Sequence, residues 1–153
     1  MSIKVTSKWT NEGQKLKREL ERLNQMEVAV GYQAGASVYP DGTDVVDVAM
    51  WNEFGTSRSP SRPFMRDSVD NHRDEIEAFM IQKKGQLMNG ASAEQILKDI
   101  GIFQKDLVQN EIREGSFQAN APSTIKKKGS SKPLIDSGTM RQSVQYQVRS
   151  KGE

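Results

Sequence analysis

Two long amphipathic helices are the clearest prediction from the pattern of apolar and polar positions along the chain. They span about residues 63–88 and 92–113, because apolar residues recur in both at the spacing of one helix face. The pair Asn89-Gly90 breaks the pattern, and Ser92 can cap the second helix. Since the link is short, the two helices are predicted to pack antiparallel. Their apolar positions are Met65, Val69, Ile76, Phe79, Met80 and Leu87, then Ile96, Leu97, Ile100, Phe103, Leu107, Val108 and Ile112.

Shorter elements precede this pair. Alternating apolar residues predict a short strand at 3–6 and a clearer one at 27–32. Between them, a helix capped by Asn11 is predicted to run to about Leu23. The apolar residues that define these elements are Leu16, Leu20 and Leu23 on the helix and Val28, Val30 and Tyr32 on the second strand.

Residues 33–43 are rich in Gly, Ser, Pro and Asp and are predicted to form an exposed loop. Thr43 or Asp44 then caps a short helix, which Gly55 is expected to end in a left-handed cap. Residues 56–63 contain two prolines and are interpreted as a stiff connector. The apolar residues of the short helix are Val45, Val46, Val48, Ala49, Met50 and Phe54.

The C-terminal part combines a polar loop with a final strand. Residues 115–133 are polar and basic and are predicted to be a mobile or partner-ordered loop. A short helical turn is expected to begin at Asp136, Ser137 and Gly138, and alternation over 144–148 predicts a closing strand. Together the elements indicate an α+β fold, a small antiparallel sheet packed against long helices, in a single domain over residues 1–153.

Composition narrows the possible chemistry. The chain has 153 residues, no cysteine and one histidine, which excludes disulfides, thiol catalysis and cysteine-ligated zinc. Its apolar runs are too short to cross a bilayer and the N-terminus has no apolar signal core, so a soluble intracellular protein is expected. Charge is uneven, since residues 1–119 hold 15 Lys/Arg against 18 Asp/Glu, whereas residues 120–153 hold 7 against 2.

Two groups of charged residues are candidates for chemistry. Asp70, Asp74, Glu75 and Glu77 could form a paired-carboxylate enzyme site, but a solvated helix face is the preferred interpretation. His72 lies in the same segment and is interpreted as a packed or edge residue, because no second histidine exists to share a metal. No catalytic, cofactor-binding or metal-binding residue is assigned.

The second group is the basic run Lys126, Lys127 and Lys128 with Lys132, which could contact phosphates or an acidic neighbour. A nucleic-acid-binding accessory protein that uses this segment is the alternative function, and simple solvation of the lysines is the alternative to both.

Apolar side chains supply the remaining candidates. Trp51 and Phe54 on the short helix are predicted to pack in the core, with a subunit interface as the competing interpretation. Tyr39 is a third candidate for this possible subunit interface. Gly55 and Gly138 are predicted to be structural turns with positive φ, which side chains resist.

In combination, several of these stretches resemble the neck and tail-completion proteins of long-tailed bacteriophages, also labelled virion morphogenesis or putative tail-component proteins. The most informative stretch is 133–141 near the C-terminus, followed by 143–148, and it is paired with the earlier stretches 51–56, with Asn-Glu-Phe-Gly, and 62–66, with Arg-Pro-Phe. The order and combination of the pieces carry the resemblance. Ser137 stands where the family often has Thr. The stretches that carry the resemblance are 28–32, 49–56, 62–66, 123–125, 128–129 and 133–138.

The resemblance implies a structural virion protein without catalytic residues, cofactor or membrane contact. It would form a homo-oligomeric ring of roughly six or twelve copies at the head–tail joint. Its neighbours would be connector or tail proteins, and its basic loop could touch packaged duplex DNA. Its location would be the neck or upper tail of the virion, after assembly in the host cytoplasm. The loops at 33–43 and 115–133 are expected to be flexible until neighbours order them.

Overall fold

The computed structural model describes residues 2–3, 8–135 and 138–152. The predicted α+β class with a small antiparallel sheet is confirmed. In chain order the elements are α1 (Asn11–Gln25), β1 (Met26–Gly31), α2 (Val45–Phe54), α3 (Phe64–Asp70), α4 (Arg73–Met88), α5 (Ala93–Glu114), α6 (Pro122–Lys128), α7 (Thr139–Gln142) and β2 (Gln145–Ser150).

The sheet pairs β1 with β2, antiparallel, so that the strand predicted at 27–32 and the closing strand are neighbours. Val28 lies opposite Val148 and Val30 opposite Tyr146. Helix α5 packs against this sheet, and Gly101 permits the close approach. A Cβ built on Gly101 would lie 2.5 Å from Cδ2 of Tyr146 and 2.9 Å from Cγ2 of Val28.

The main core lies where α5 meets α2, α3 and the C-terminal segment. Val108 and Ile112 of α5 are almost fully buried, as the apolar pattern predicts. Phe64 is fully buried at the start of α3. The rings of Tyr32 and Phe64 pack edge-to-face, with their centroids 6.3 Å apart. The core cluster consists of Val45, Ala49, Phe64, Val108, Ile112, Leu134, Met140 and Val144.

Helices α4 and α5 form the predicted antiparallel pair. The rings of Phe79 and Phe103 stack with centroids 4.1 Å apart. One turn further along, the ammonium of Lys83 lies 2.7 Å from the carboxylate of Asp99. This hydrogen bond lowers the pKa of Asp99 from its ordinary value. The short connection contains Gly90, whose φ of 102° is readily adopted by glycine and disfavoured for other residues.

The single helix predicted over 63–88 is wrong, because it is broken into α3 and α4 at Asn71 and His72. The backbone N–H of His72 bonds to the carbonyl of Val69, which tightens the end of α3. The carbonyl of His72 then accepts from Ile76 to begin α4. Two positions of the predicted stripe also face solvent, since Val69 and Met80 are both exposed.

The N-terminal helix differs from its prediction at both ends. Thr10, not Asn11, is the N-cap, because its hydroxyl accepts a hydrogen bond from Gly13 N at 3.0 Å. The helix extends to Gln25, and Leu20 of its predicted apolar stripe is exposed. The predicted strand at 3–6 lies largely outside the described residues.

The C-terminal region also departs from prediction. The loop predicted at 115–133 contains helix α6, which begins at Pro122 in the first helical position, where a missing N–H costs nothing. Helix α7 starts at Thr139 with Gly138 as its N-cap. Asp136 and Ser137, predicted to open this turn, lie outside the described residues.

Candidate interaction surface

The Asn-Glu-Phe-Gly and Arg-Pro-Phe stretches form one joint between α2 and α3. Pro63 precedes α3 and supplies no side-chain cap. Instead the carboxylate of Glu53, on α2, accepts hydrogen bonds from Met65 N at 2.9 Å and Arg66 N at 3.2 Å. A negative group at a helix N-terminus also interacts favourably with the helix dipole. Glu53 therefore fixes the start of α3 relative to α2.

Gly55 allows the chain to turn back inside this joint. Its φ of 76° is positive as predicted, but its ψ of 175° is not that of a left-handed helical cap. A Cβ on Gly55 would lie 2.8 Å from the backbone N of Ser61. Other residues are therefore excluded by lack of space as well as by the positive φ. The turn brings Arg62 N within 2.6 Å of the carbonyl oxygen of Asn52.

The C-terminal motif packs on the same joint. The side-chain amide of Asn52 donates to the carbonyl of Val48 at 2.8 Å and to the sulfur of Met140 at 3.9 Å. Gly138, just before α7, has the predicted positive φ, here 81° with ψ 0°. The stretches 49–56 and 62–66 are thus adjacent in space to Pro133 and Leu134 of the C-terminal stretch. A groove of about 420 Å³ lies between them, lined among others by Trp51, Asn52, Thr56, Arg62, Pro133, Leu134 and Met140.

Arg62 ties the joint to the segment after α5. Its side chain is only 5% exposed, and its guanidinium donates to the carbonyls of Gln118 at 2.9 Å and Ala119 at 3.5 Å. Burial lowers the pKa of Arg62 from its ordinary value. Sequence reasoning placed Arg62 in the motif but did not identify this structural role.

The two segments predicted as long loops, 33–43 and 115–133, meet at the groove. Asp41 and Lys128, one from each loop, both line the groove. Hydrogen bonds from Thr43 lower the pKa of Asp41, and the charge of nearby Lys127 contributes in the same direction. The first loop is also pinned by Asp44, whose carboxylate accepts from Gly35 N at 2.6 Å.

The basic run occupies the last turn of α6, where the helix dipole favours cations. Lys126 and Lys127 are exposed there. By contrast, the ammonium of Lys128 lies 3.1 Å from the carbonyl of Pro133, and that of Lys132 lies 3.5 Å from the carboxylate of Glu114. Of the four lysines predicted as one contact surface, Lys126, Lys127 and Lys132 are exposed, whereas Lys128 is half-buried. Lys128 and Lys132 both bond to other groups of the chain.

The outer face of α2 is an exposed apolar ridge formed by Met50, Trp51 and Phe54. These residues are 52%, 51% and 74% exposed, so the preferred prediction of core packing is wrong for Trp51 and Phe54. Tyr39, the third predicted interface residue, is half-buried against the core cluster. One signal in the sequence could have identified the ridge, because α2 is apolar on both faces and its own core can cover only one.

The acidic segment after α3 holds a polar contact that sequence reasoning missed. Both ring nitrogens of His72 face carboxylates, Nδ1 at 3.1 Å from Glu75 and Nε2 at 3.3 Å from Glu111. Glu111 belongs to α5, is almost buried and also accepts from the amide of Asn71 at 3.3 Å. The hydrogen bonds that the His72 ring makes to the carboxylates of Glu75 and Glu111, which accept them, raise the pKa of His72. Asp70, by contrast, pairs with Arg73 at the surface.

Comparison with known proteins adds no relative, since no family model, no curated protein and no solved structure matches this chain. Within residues 2–3, 8–135 and 138–152, no group of three or more His, Asp or Glu side chains is arranged to hold a metal ion. No helix in the same residues is long and apolar enough to cross a membrane.

Proposed function

We propose that this chain is a structural subunit of a bacteriophage virion that forms a ring at the head–tail joint. The observation that carries the proposal is the position of the α2 ridge. The motif residues lock α2 in place from its inner side, and the outer side presents three large apolar residues to solvent. An exposed apolar surface of this kind is typical of a protein–protein contact.

The bonding of the motif supports a role in shape rather than in chemistry. Glu53 and Arg62 direct polar atoms to backbone groups of neighbouring segments. Asn52 instead donates to the carbonyl of Val48 within α2 and to the sulfur of Met140. Such bonds fix the path of the chain around Gly55. In an assembly, this joint would hold the ridge at one angle relative to α3 and α5.

Electron microscopy of the purified protein at high concentration tests the ring, and labelling of virions from a phage that encodes the chain tests its location. We expect rings with a central pore wide enough for duplex DNA, and label at the head–tail joint. Purified virions that lack the protein would contradict the proposal.

The alternative, a nucleic-acid-binding accessory protein, is favoured by the exposure of Lys126 and Lys127 at the end of α6. Each phosphate contact adds about one to the slope of log affinity against log salt. The variant Lys126→Ser/Lys127→Ser should therefore lower that slope by about two if these lysines bind DNA. The matched control Lys17→Ser/Arg18→Ser removes the same charge from α1.

Tight, salt-dependent binding of duplex DNA by the monomer, lost only in the α6 variant, would favour this alternative over the ring. In the ring, by contrast, the α6 variant should impair head–tail joining or DNA retention in a complementation assay. If the α6 variant and the α1 control behave equally in both assays, Lys126 and Lys127 contact neither DNA nor a neighbouring subunit and are simply solvated.

A further inference from the structure

A second exposed apolar surface lies on α4, away from the ridge on α2. Met80 and Ile81 are 47% and 64% exposed, and Glu77 and Lys84 lie on the same side of the helix one turn before and after them. This set of four residues is termed the α4 stripe. Helix α4 packs against α1, α3 and α5 through its other side.

The outer face of α2 has the same spacing, with a charged residue at one end and an aromatic residue at the other. Asp47 lies one turn before Met50 and Trp51, and Phe54 follows one turn after them. Asp47 is exposed like the ridge residues, and α2 packs against α3 and α7 through its inner side. This set of four is termed the α2 stripe. The end residues of each stripe are seven positions apart, about 10 Å along the helix.

The charges at the stripe ends select one way to bring the two together. In an antiparallel arrangement Asp47 faces Lys84, the two apolar residues at the centre of each stripe face each other, and Phe54 faces Glu77. A parallel arrangement would place Asp47 against Glu77, which are like charges. Complementary charge sets orientation, whereas burial of the apolar side chains supplies most of the affinity.

We propose that the α2 stripe of one copy docks antiparallel on the α4 stripe of a second copy of this chain. The two stripes are different surfaces of the same molecule, so the contact is heterologous and can propagate from copy to copy into a closed ring. The inference deepens the proposed function and rests on it for the closure of the ring, while the contact itself stands on the two stripes.

Sedimentation of two matched variants and their mixture tests the contact. Phe54→Ser damages only the α2 stripe, and Ile81→Ser damages only the α4 stripe. Each variant alone should associate at least about tenfold more weakly than the wild type, because apolar anchors dominate such contacts. Their 1:1 mixture retains one intact surface of each kind, so it should form a heterodimer with wild-type affinity that does not grow further.

The control is Ile102→Ser, which removes a side chain that is 46% exposed on α5 and outside both stripes. Its association should match the wild type. Circular dichroism establishes that each variant is folded. A wild type that stays monomeric at high concentration, or a mixture no better than its components, would overturn the proposal.

Charge exchange tests the orientation. Asp47→Lys and Lys84→Asp should each weaken association by placing like charges opposite each other, and the double variant should restore it. Failure of the double variant to recover would rule out the antiparallel pairing. The two proposals can also fail separately. If the protein is labelled at the head–tail joint but Phe54→Ser associates like the wild type, only the proposed contact is wrong. If the 1:1 mixture recovers wild-type association but virions carry no label, only the proposed location is wrong.

Discussion

The two sides of α2 differ in what covers them, although both are apolar. On the inner side, Val45 and Ala49 are buried in the core that α5 supports through Val108 and Ile112. On the outer side, residues at least as large lie half or more exposed. Burial of apolar surface is the main favourable term in folding. The inner side therefore contributes to the stability of the chain, and the outer side contributes little to it.

Two phenylalanines give the largest expected contrast between the sides. Phe64→Ala removes a fully buried ring from the core that receives the inner side of α2, and should lower the free energy of unfolding by about 3–5 kcal/mol. Phe54→Ala removes a ring that is 74% exposed and should change stability by about 0.5 kcal/mol or less. Urea unfolding of both variants, at concentrations where the chain is monomeric, measures the difference. Similar losses for the two variants would show that the outer side is covered within one chain.

The second contrast concerns the turn that ends α2. Gly55→Ala should lower the free energy of unfolding by about 2–3 kcal/mol, because glycine alone readily adopts its backbone conformation and the added Cβ meets backbone atoms. At Gly138 the nearest atom to an added Cβ is the flexible end of Gln142, at 3.4 Å. Gly138→Ala should therefore cost only about 1 kcal/mol, the usual penalty of a left-handed residue. Thermal unfolding ranks the two, and the reverse order would contradict the assigned role of Gly55.

A third contrast uses one carboxylate from each side of α2. Glu53→Gln keeps the shape of the inner side chain but removes the charge that caps α3, so a loss of about 1 kcal/mol is expected. Asp47→Asn, on the outer side, should change monomer stability by about 0.5 kcal/mol or less. Unfolding in urea compares them. Equal, small effects would mean that Glu53 does not hold the joint.

The sequence predicted best where one helix face alone is apolar. The buried positions of α5, such as Ile96, Leu97 and Ile112, followed from their spacing, because a single apolar face has only one core to meet. The alternation of β1 predicted the strand itself, in which Val28 pairs with Val148 and Val30 with Tyr146. Pattern alone could not decide which side of α2 is buried, since its apolar residues lie all around the helix.

The remaining differences arise from contacts between distant segments. No proline or glycine marks the break at Asn71 and His72, and what holds that region is a set of contacts to Glu111 some forty residues later. The N-cap of α3 comes from Glu53 on another helix, so no local capping residue identifies it. The structure thus explains the motif residues as a joint, whereas the assembly inferred from the resemblance stays a prediction.

The smallest expected effect is the pH dependence of stability through His72. This residue lies at the break between α3 and α4 and contacts Glu111 of α5. The groups that face its ring are Glu75 and Glu111, and their hydrogen bonds raise the pKa of His72 in the folded chain above its ordinary value of about 6.5. A raised folded pKa means that the folded chain binds the proton more tightly than the unfolded chain. The resulting stabilisation is complete below the unfolded pKa and is lost as pH rises through the folded pKa.

His72→Gln removes this titration while it keeps a hydrogen-bonding side chain beside Glu111. We therefore expect the stability advantage of the wild type over the variant to be largest near pH 5.5 and to shrink as pH rises to 8.5. Urea unfolding across this range measures the difference, and comparison with the variant cancels the titration of other groups. A difference that is constant with pH would show that His72 contributes no proton-linked stability. One that grows with pH would reverse the sign and mean that the folded chain favours the neutral ring.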